Sequence, residues 1–322
     1  MCAVLAALVV VVGCWSISVG DFPIPITDVV ATIFGGGSDD AQFIVETLRL
    51  PRVLTGIMVG AAFAVAGSIF QSLAQNPLAS PDVIGFNSGA ALGAVFTIVT
   101  IGGSSLQVSI GALVGGFATA LLVYSLAWKR GVHGYRLVLV GIGIGFAVSA
   151  VNDYLITRAN IYDVQRAAVW LTGSLNGRGW NHVRPVGLGL LVLLPPAVFL
   201  GRRMRLLELG ADTAAALGVH VGRSRAALAL VGVALAALAT ASAGPIGFVA
   251  LVSPPIARRL VRSPGVTVVP AALVGALLTV TADLAARRVF APTELPVGIA
   301  TAVIGAPYLL WLLTREIRSG AM

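Results

Sequence analysis

The sequence predicts an all-α polytopic membrane protein, a single transmembrane domain over residues 1–322 with about ten transmembrane helices. Three observations point there. The chain is 57% hydrophobic and only 11% charged, whereas soluble domains carry about 25% charged residues. Its mean hydropathy is +0.96. Apolar runs of about 20 residues, the length that crosses a hydrocarbon core, alternate along the whole chain with short segments rich in Gly, Pro and Arg.

In order, the runs fall near 2–19, 52–73, 84–101, 106–127, 136–157, 184–200, 225–243, 246–260, 267–285 and 297–313. The first is uncharged and reads as a retained span. Its two cysteines, Cys2 and Cys14, would be about 18 Å apart on one helix, beyond disulfide reach. Val12-Gly13-Cys14 has the look of a lipoprotein cleavage box but lacks a basic leader. The second run opens at Pro51, suited to a first helical turn, and is rich in Gly, Ala and Ser, the residues that let helices approach closely in lipid. A polar hinge, Gln71, Gln75, Asn76, Pro77, Ser80, Pro81 and Asp82, separates it from the third. Lys129, Arg130 and Arg136 divide the fourth run from the fifth, and Arg184 and Arg202 bound the sixth. The seventh and eighth are split only by Gly244-Pro245, whose freed backbone groups require burial against protein. Ala66-Gly67 with Asn76-Pro77, and Ala243-Gly244 with Pro254-Pro255, give a faint echo between the two halves, a pattern common in transporters.

The net charge of +8 does not indicate nucleic-acid binding, because the arginines sit in short clusters between apolar runs and form no basic stripe interleaved with aromatics. It reads as a topology signal. With the N-terminus in the cytoplasm, thirteen of the 21 Lys and Arg fall on the inside and eight outside, which predicts a multi-pass protein with both termini cytoplasmic.

Enzyme chemistry finds little support. A phosphate-binding P-loop needs a lysine after glycine, and the single lysine, Lys129, follows Trp128. There is no Ser/His/Asp set, carboxylate pair or cluster of metal ligands. His133, His182 and His220 are isolated in loops, and Asp153 is the one nearly intramembrane acid, placed to pair with Arg158.

Two segments look built for partners. The connection 201–225, GRRMRLLELGADTAAALGVHVGRSR, predicts a short helix over Asp212–Leu217, with Asp212 favouring the helix dipole and Gly218 as the left-handed stop. The result is a helix-turn-helix knob with an apolar edge of Ala215, Leu217 and Val219. At the other side, Arg49 and Arg287 are retained outside against the positive-inside tendency, which invites carboxylate partners.

The stretch Leu48–Gly93, with Asn76-Pro77-Leu78-Ala79 at its hinge, resembles along its whole length the corresponding segment of the FecCD family, permease subunits of ATP-driven bacterial importers for iron-siderophores, haem and vitamin B12. Leu209-Gly210 and Leu217-Gly218-Val219 resemble the family's coupling loop. Gly244-Pro245-Ile246-Gly247-Phe248-Val249, Glu294-Leu295-Pro296-Val297-Gly298 and Gly305-Ala306-Pro307 resemble its C-terminal signatures. The resemblance implies the fold of the vitamin B12 importer permease (type II importer) in the bacterial inner membrane. It implies that Gly210, Asp212, Leu217, Gly218 and Val219 couple to a separate ABC ATPase, which holds ATP and Mg, with no cofactor on this chain. It further implies that Arg49 and Arg287 receive glutamates of an extracytoplasmic substrate-binding protein, that Gly134 and Tyr135 stand at the cytoplasmic gate, and that Asn76 and Pro77 form the motif hinge. The permease is expected to pair with a second copy or a sister permease. Ferric siderophore is the expected substrate, with haem and cobalamin as alternatives. Pro255 departs from the family's histidine. An ion-coupled secondary transporter is the rival class, but it would want ionisable residues inside the spans.

Overall fold

The computed structural model describes residues 1–36, 39–82, 85–127, 134–263 and 265–318, and all regular structure among them is helical. The helices are α1 (Cys2–Ser18), α2 (Ile26–Ile33), α3 (Asp39–Gln42), a π-helical segment (Phe43–Arg49) continuing into α4 (Leu50–Ala74), α5 (Phe86–Ile101), α6 (Ser105–Ala127), α7 (Gly134–Arg158), α8 (Ile161–Leu171), α9 (Trp180–Glu208), α10 (Ala211–Ala216), α11 (Val221–Ala243), α12 (Val249–Val261), α13 (Val268–Arg288) and α14 (Val297–Arg318).

Each of the ten apolar runs has a helix at its place, but the count of ten spans is met only in part. Among the described residues, six segments are long and apolar enough to cross a membrane: Asp40–Ala74, α6, Arg136–Arg158 of α7, α9, α11 and α13. Three more, α1, α5 and Val297–Trp311 of α14, are apolar but shorter. At 13 residues, α12 rises only about 20 Å, short of the roughly 30 Å of hydrocarbon. It therefore sits inside the bundle, with Pro254 and Pro255 buried. The sequence reading did not anticipate α2, α3, the π-helical segment or α8, which are too short or too polar to register as apolar runs. The start of α8 is capped by the Asn160 side chain, which accepts from the Asp163 amide at 3.0 Å.

The most buried spanning helix is α4, which packs against α9, α11, α12 and α13. Its small residues make that possible. Gly60 lies against the Gly275 carbonyl of α13, and Gly67 against the Ala250 carbonyl of α12. The contact of α5 with α6 is built the same way, Gly93 on the Gly111 carbonyl and Gly89 on that of Gly115. In lipid no hydrophobic force drives helices together, so close backbone approach carries the packing. Gly93→Ala would push a methyl into the Gly111 carbonyl, whereas a methyl at Gly143 of α7 meets nothing within 4 Å in the chain. Gly93→Ala is expected to cost about 1–3 kcal/mol and lower the melting temperature in detergent. Gly143→Ala is expected to leave it unchanged or raise it slightly.

The hinge after α4 follows from its residues. Gln75 adopts the left-handed conformation (φ 50°) that ends the helix. Asn76 then opens a β-turn. The Ala79 amide donates to the Asn76 carbonyl at 3.1 Å, and the Leu78 amide to the Asn76 side chain at 2.8 Å. Pro77 occupies the second turn position, where its fixed φ suits the turn.

Candidate functional site

Functional groups collect at the two ends of α4. At its start, Arg52 grips the Asp283 carboxylate of α13 through Nε at 3.1 Å and Nη2 at 3.0 Å, and reaches Glu294 through Nη1 at 3.0 Å. Arg287, one turn beyond Asp283, pairs with it at 3.2 Å and donates to the Ser16 hydroxyl at 2.5 Å. Asp283 is buried, with 3% of its side chain exposed, and Arg52 nearly so at 12%. Charge at this depth persists only when paired and hydrogen-bonded. Arg49 caps the end of α1, donating to the carbonyls of Ile17 and Phe22, each at 2.7 Å. Arg288 donates to Gly20 at 2.9 Å and is otherwise exposed. Around these groups opens a cavity of about 500 Å³, lined by Arg49, Arg52, Arg178, Arg287, Arg288 and Glu294.

The structure places Arg49 and Arg287 on one cleft and shows both guanidiniums holding the chain's own α1, through Ile17 and Ser16. Sequence reading missed Arg52, Asp283 and Glu294 as partners. The available signal was an aspartate in an apolar run, four residues ahead of an arginine.

Arg178 was also missed. It lies on the loop joining α8 to α9, between the cleft and a second, larger cavity of about 1000 Å³. Main-chain bonds clasp this loop from two sides. The Ser174 amide donates to Ala243 at the end of α11 at 2.8 Å, and the Gly298 amide at the start of α14 donates to Gly173 at 3.1 Å. Gly173 is left-handed (φ +68°), and a side chain there would strike the Pro245 carbonyl. The Gly244-Pro245 and Val297-Gly298 signatures are therefore the two jaws of one clasp. Within it, Arg178 donates through Nε to the Ser174 carbonyl at 3.2 Å and lies 3.0 Å from His182 Nε2 through Nη1. Burial pulls its pKa down, but a guanidinium stays protonated in proteins. So His182 is not an isolated loop histidine.

At the far end of α4, Gln75 donates to the Leu207 carbonyl at 3.2 Å, tying the hinge to the end of α9. Gln71 donates to Leu251 and accepts from Arg258, each at 3.0 Å. Immediately after α9 stands the knob. Gly210 (φ +101°) precedes α10, and Gly218 (φ +82°) follows it. The Val219 amide donates to Ala214 and the Gly218 amide to Ala215, both at 2.9 Å, the paired bonds of a Schellman stop. Ala214 and Val219 turn inward while Asp212, Ala215 and Leu217 are exposed, Leu217 by 58%. Gly134 and Tyr135 open α7, but the surroundings of the Tyr135 side chain lie outside the described residues, as do Lys129 and His133. Asp153 is exposed. The expected ion pair with Arg158 is not formed among the described residues, where Arg158 lies over the Tyr154 ring at 5.6 Å.

A family model described as the FecCD transport family matches residues 8–315. The chain belongs to the FecCD transport family. Among FecCD relatives, it is 44% identical over 317 residues to the ferric enterobactin transport system permease protein FepG of Escherichia coli (strain K12), covering 98% of this chain and 96% of that one. It is 42% identical over 325 residues to the probable siderophore transport system permease protein YfhA of Bacillus subtilis (strain 168), covering 98% and 94%. The fold matches, with a TM-score of 0.88 and 28% identity over 98% of both chains, a structure described as an inward-facing conformation of a metal-chelate type ABC transporter. This FecCD chain is accordingly a multi-pass membrane protein.

Proposed function

We propose that the chain is the permease subunit of an ATP-driven importer for ferric siderophores in the bacterial inner membrane, with both termini cytoplasmic. The match over nearly the whole length to relatives named as siderophore permeases carries this reading. In it, ATP and Mg are held by a separate ABC ATPase, and no cofactor resides on this chain. The permease pairs with a second copy or a sister permease.

The geometry supports a division of labour between the ends of α4. The arginine cleft faces outward and receives carboxylates of a substrate-binding protein on Arg49 and Arg287, with Arg288 beside them. Each arginine retains donors while bonded within the chain, since a guanidinium has five. The knob faces the cytoplasm and offers Leu217 and Ala215 to the ATPase, with Gly210 and Gly218 setting its turns and Val219 its anchor. Motion of the knob passes to the Asn76-Pro77 hinge through the Gln75–Leu207 bond, and from there along α4. Gly134 and Tyr135 gate the inner end of α7.

Co-reconstitution with the ATPase and binding protein in proteoliposomes tests this. Radioiron-loaded siderophore is expected to accumulate only with ATP and binding protein. Accumulation that survives omission of the ATPase and collapses on adding an uncoupler would assign the chain to the ion-coupled transporters. A further expected outcome concerns the cleft: Arg49→Glu with Arg288→Glu should weaken binding-protein docking at least tenfold, a loss of about 1.4 kcal/mol, read by surface plasmon resonance on the assembled complex.

A further inference from the structure

The second cavity beside Arg178, about 1000 Å³, lies between α6, α8 and the clasped loop. It is lined by Tyr162, Arg166, Trp170, Asn176, Arg178 and Glu294, among others. Its charges are unevenly matched. The Glu294 carboxylate is held by Arg52 at 3.0 Å, and Asp163 is only at 4.0 Å from Arg166. Arg178 has no carboxylate within ion-pair distance among the described residues; its named partners are a carbonyl and a neutral-capable imidazole. Arg166 spends one donor on the Gly103 carbonyl at 2.8 Å and is half exposed. A partly buried guanidinium without an anion is costly, yet here the loop that carries it is fixed from both sides by main-chain bonds. Two cations beside the rings of Tyr162 and Trp170, in a space of this size, match a large anion that carries aromatic faces.

We infer that this cavity is a substrate subsite for an anionic, arene-bearing iron chelate, with Arg178 and Arg166 taking its negative charge and Tyr162 and Trp170 its rings. The inference rests on the importer reading and deepens it. The chelate leaves the binding protein and is first held by this chain beside the clasped loop, in the cavity that shares Arg178 and Glu294 with the arginine cleft. Arg178 serves as the anchor because its guanidinium bonds back to Ser174, which the clasp holds. Arg166, on the exposed side of α8, closes over the bound anion. An uncharged chelate would gain nothing from either guanidinium.

The test uses the complete reconstituted importer and two probes, the trianionic iron(III) tris-catecholate and an uncharged iron(III) tris-hydroxamate. For Arg178→Gln, and for Arg178→Gln with Arg166→Gln, the KM for the trianion is expected to rise about tenfold or more, the effect of losing a charge-assisted hydrogen bond. The kcat and the KM of the uncharged probe should stay within twofold of the parent, and Arg178→Lys should recover part of the loss. Binding-protein docking, read separately on Arg166→Gln, whose side chain lies outside the arginine cleft, should be unchanged. If both probes lose equally, or if docking falls instead, the residues serve structure or the partner and the subsite is overturned. If the parent imports the trianion and the variants match it, the subsite is likewise overturned while the importer reading stands. If the parent imports neither probe with ATP, the importer reading itself falls.

Discussion

Asp283→Ala is expected to destabilise the protein by about 3–5 kcal/mol, the cost of leaving a buried cation without its anion. The number is large because one carboxylate serves two guanidiniums, Arg52 from α4 and Arg287 from α13. Its removal strands Arg287 beside α1 and leaves Arg52 with Glu294 alone. Asp283→Asn keeps the shape and some hydrogen bonding, and so should cost less than the alanine. Arg52→Met with Asp283→Leu removes both charges and should recover part of the loss, leaving Arg287 to Ser16 and Glu294. Thermal unfolding in detergent, followed by size-exclusion on the heated sample, measures all three. Equal melting points for the parent and Asp283→Ala would mean that water or lipid headgroups replace the carboxylate, and that the network is peripheral.

Leu217→Glu is expected to abolish ATP-driven uptake while leaving the fold intact. Leu217 is 58% exposed at the tip of the knob, and α10 is held by its own terminal bonds rather than by that side chain. An apolar anchor at the centre of an interface is worth about 2 kcal/mol or more, a factor of roughly thirty in affinity. The measurement is binding-protein-stimulated ATPase activity of the reconstituted complex. An unchanged melting temperature with stimulation lost places the defect at the junction with the ATPase. Parental stimulation would show that the ATPase is engaged elsewhere.

Much of this was legible in the sequence because apolar length and Gly/Pro punctuation are local signals. The knob was placed within one residue, from Asp212, Gly218 and the alanines between them. The turn at Asn76-Pro77 is dictated by those two side chains. What stayed hidden was long-range. Nothing near Arg52 points to Asp283 or Glu294, more than 200 residues away, and nothing near Arg178 points to Ala243 or Gly298. The two arginines singled out for a partner, Arg49 and Arg287, also bind α1, because a carbonyl at a helix end attracts a guanidinium as a foreign carboxylate does. The short helices α2 and α8 escaped notice since their amphipathic faces are only one to three turns long.

The distance along the chain between Arg52 and its anion has a consequence for biogenesis. Asp283 is synthesised 231 residues after Arg52, which at about 5–20 residues per second is roughly ten to fifty seconds. Throughout that interval α4 is already made and its cation has no mate from this polypeptide. An insertase groove or the phosphate layer must shelter it, and the helix can settle to its final depth only when α13 arrives. Chains truncated before residue 283 and released from the ribosome should therefore be extracted from the bilayer more readily by alkaline carbonate than released chains ending just after Glu294.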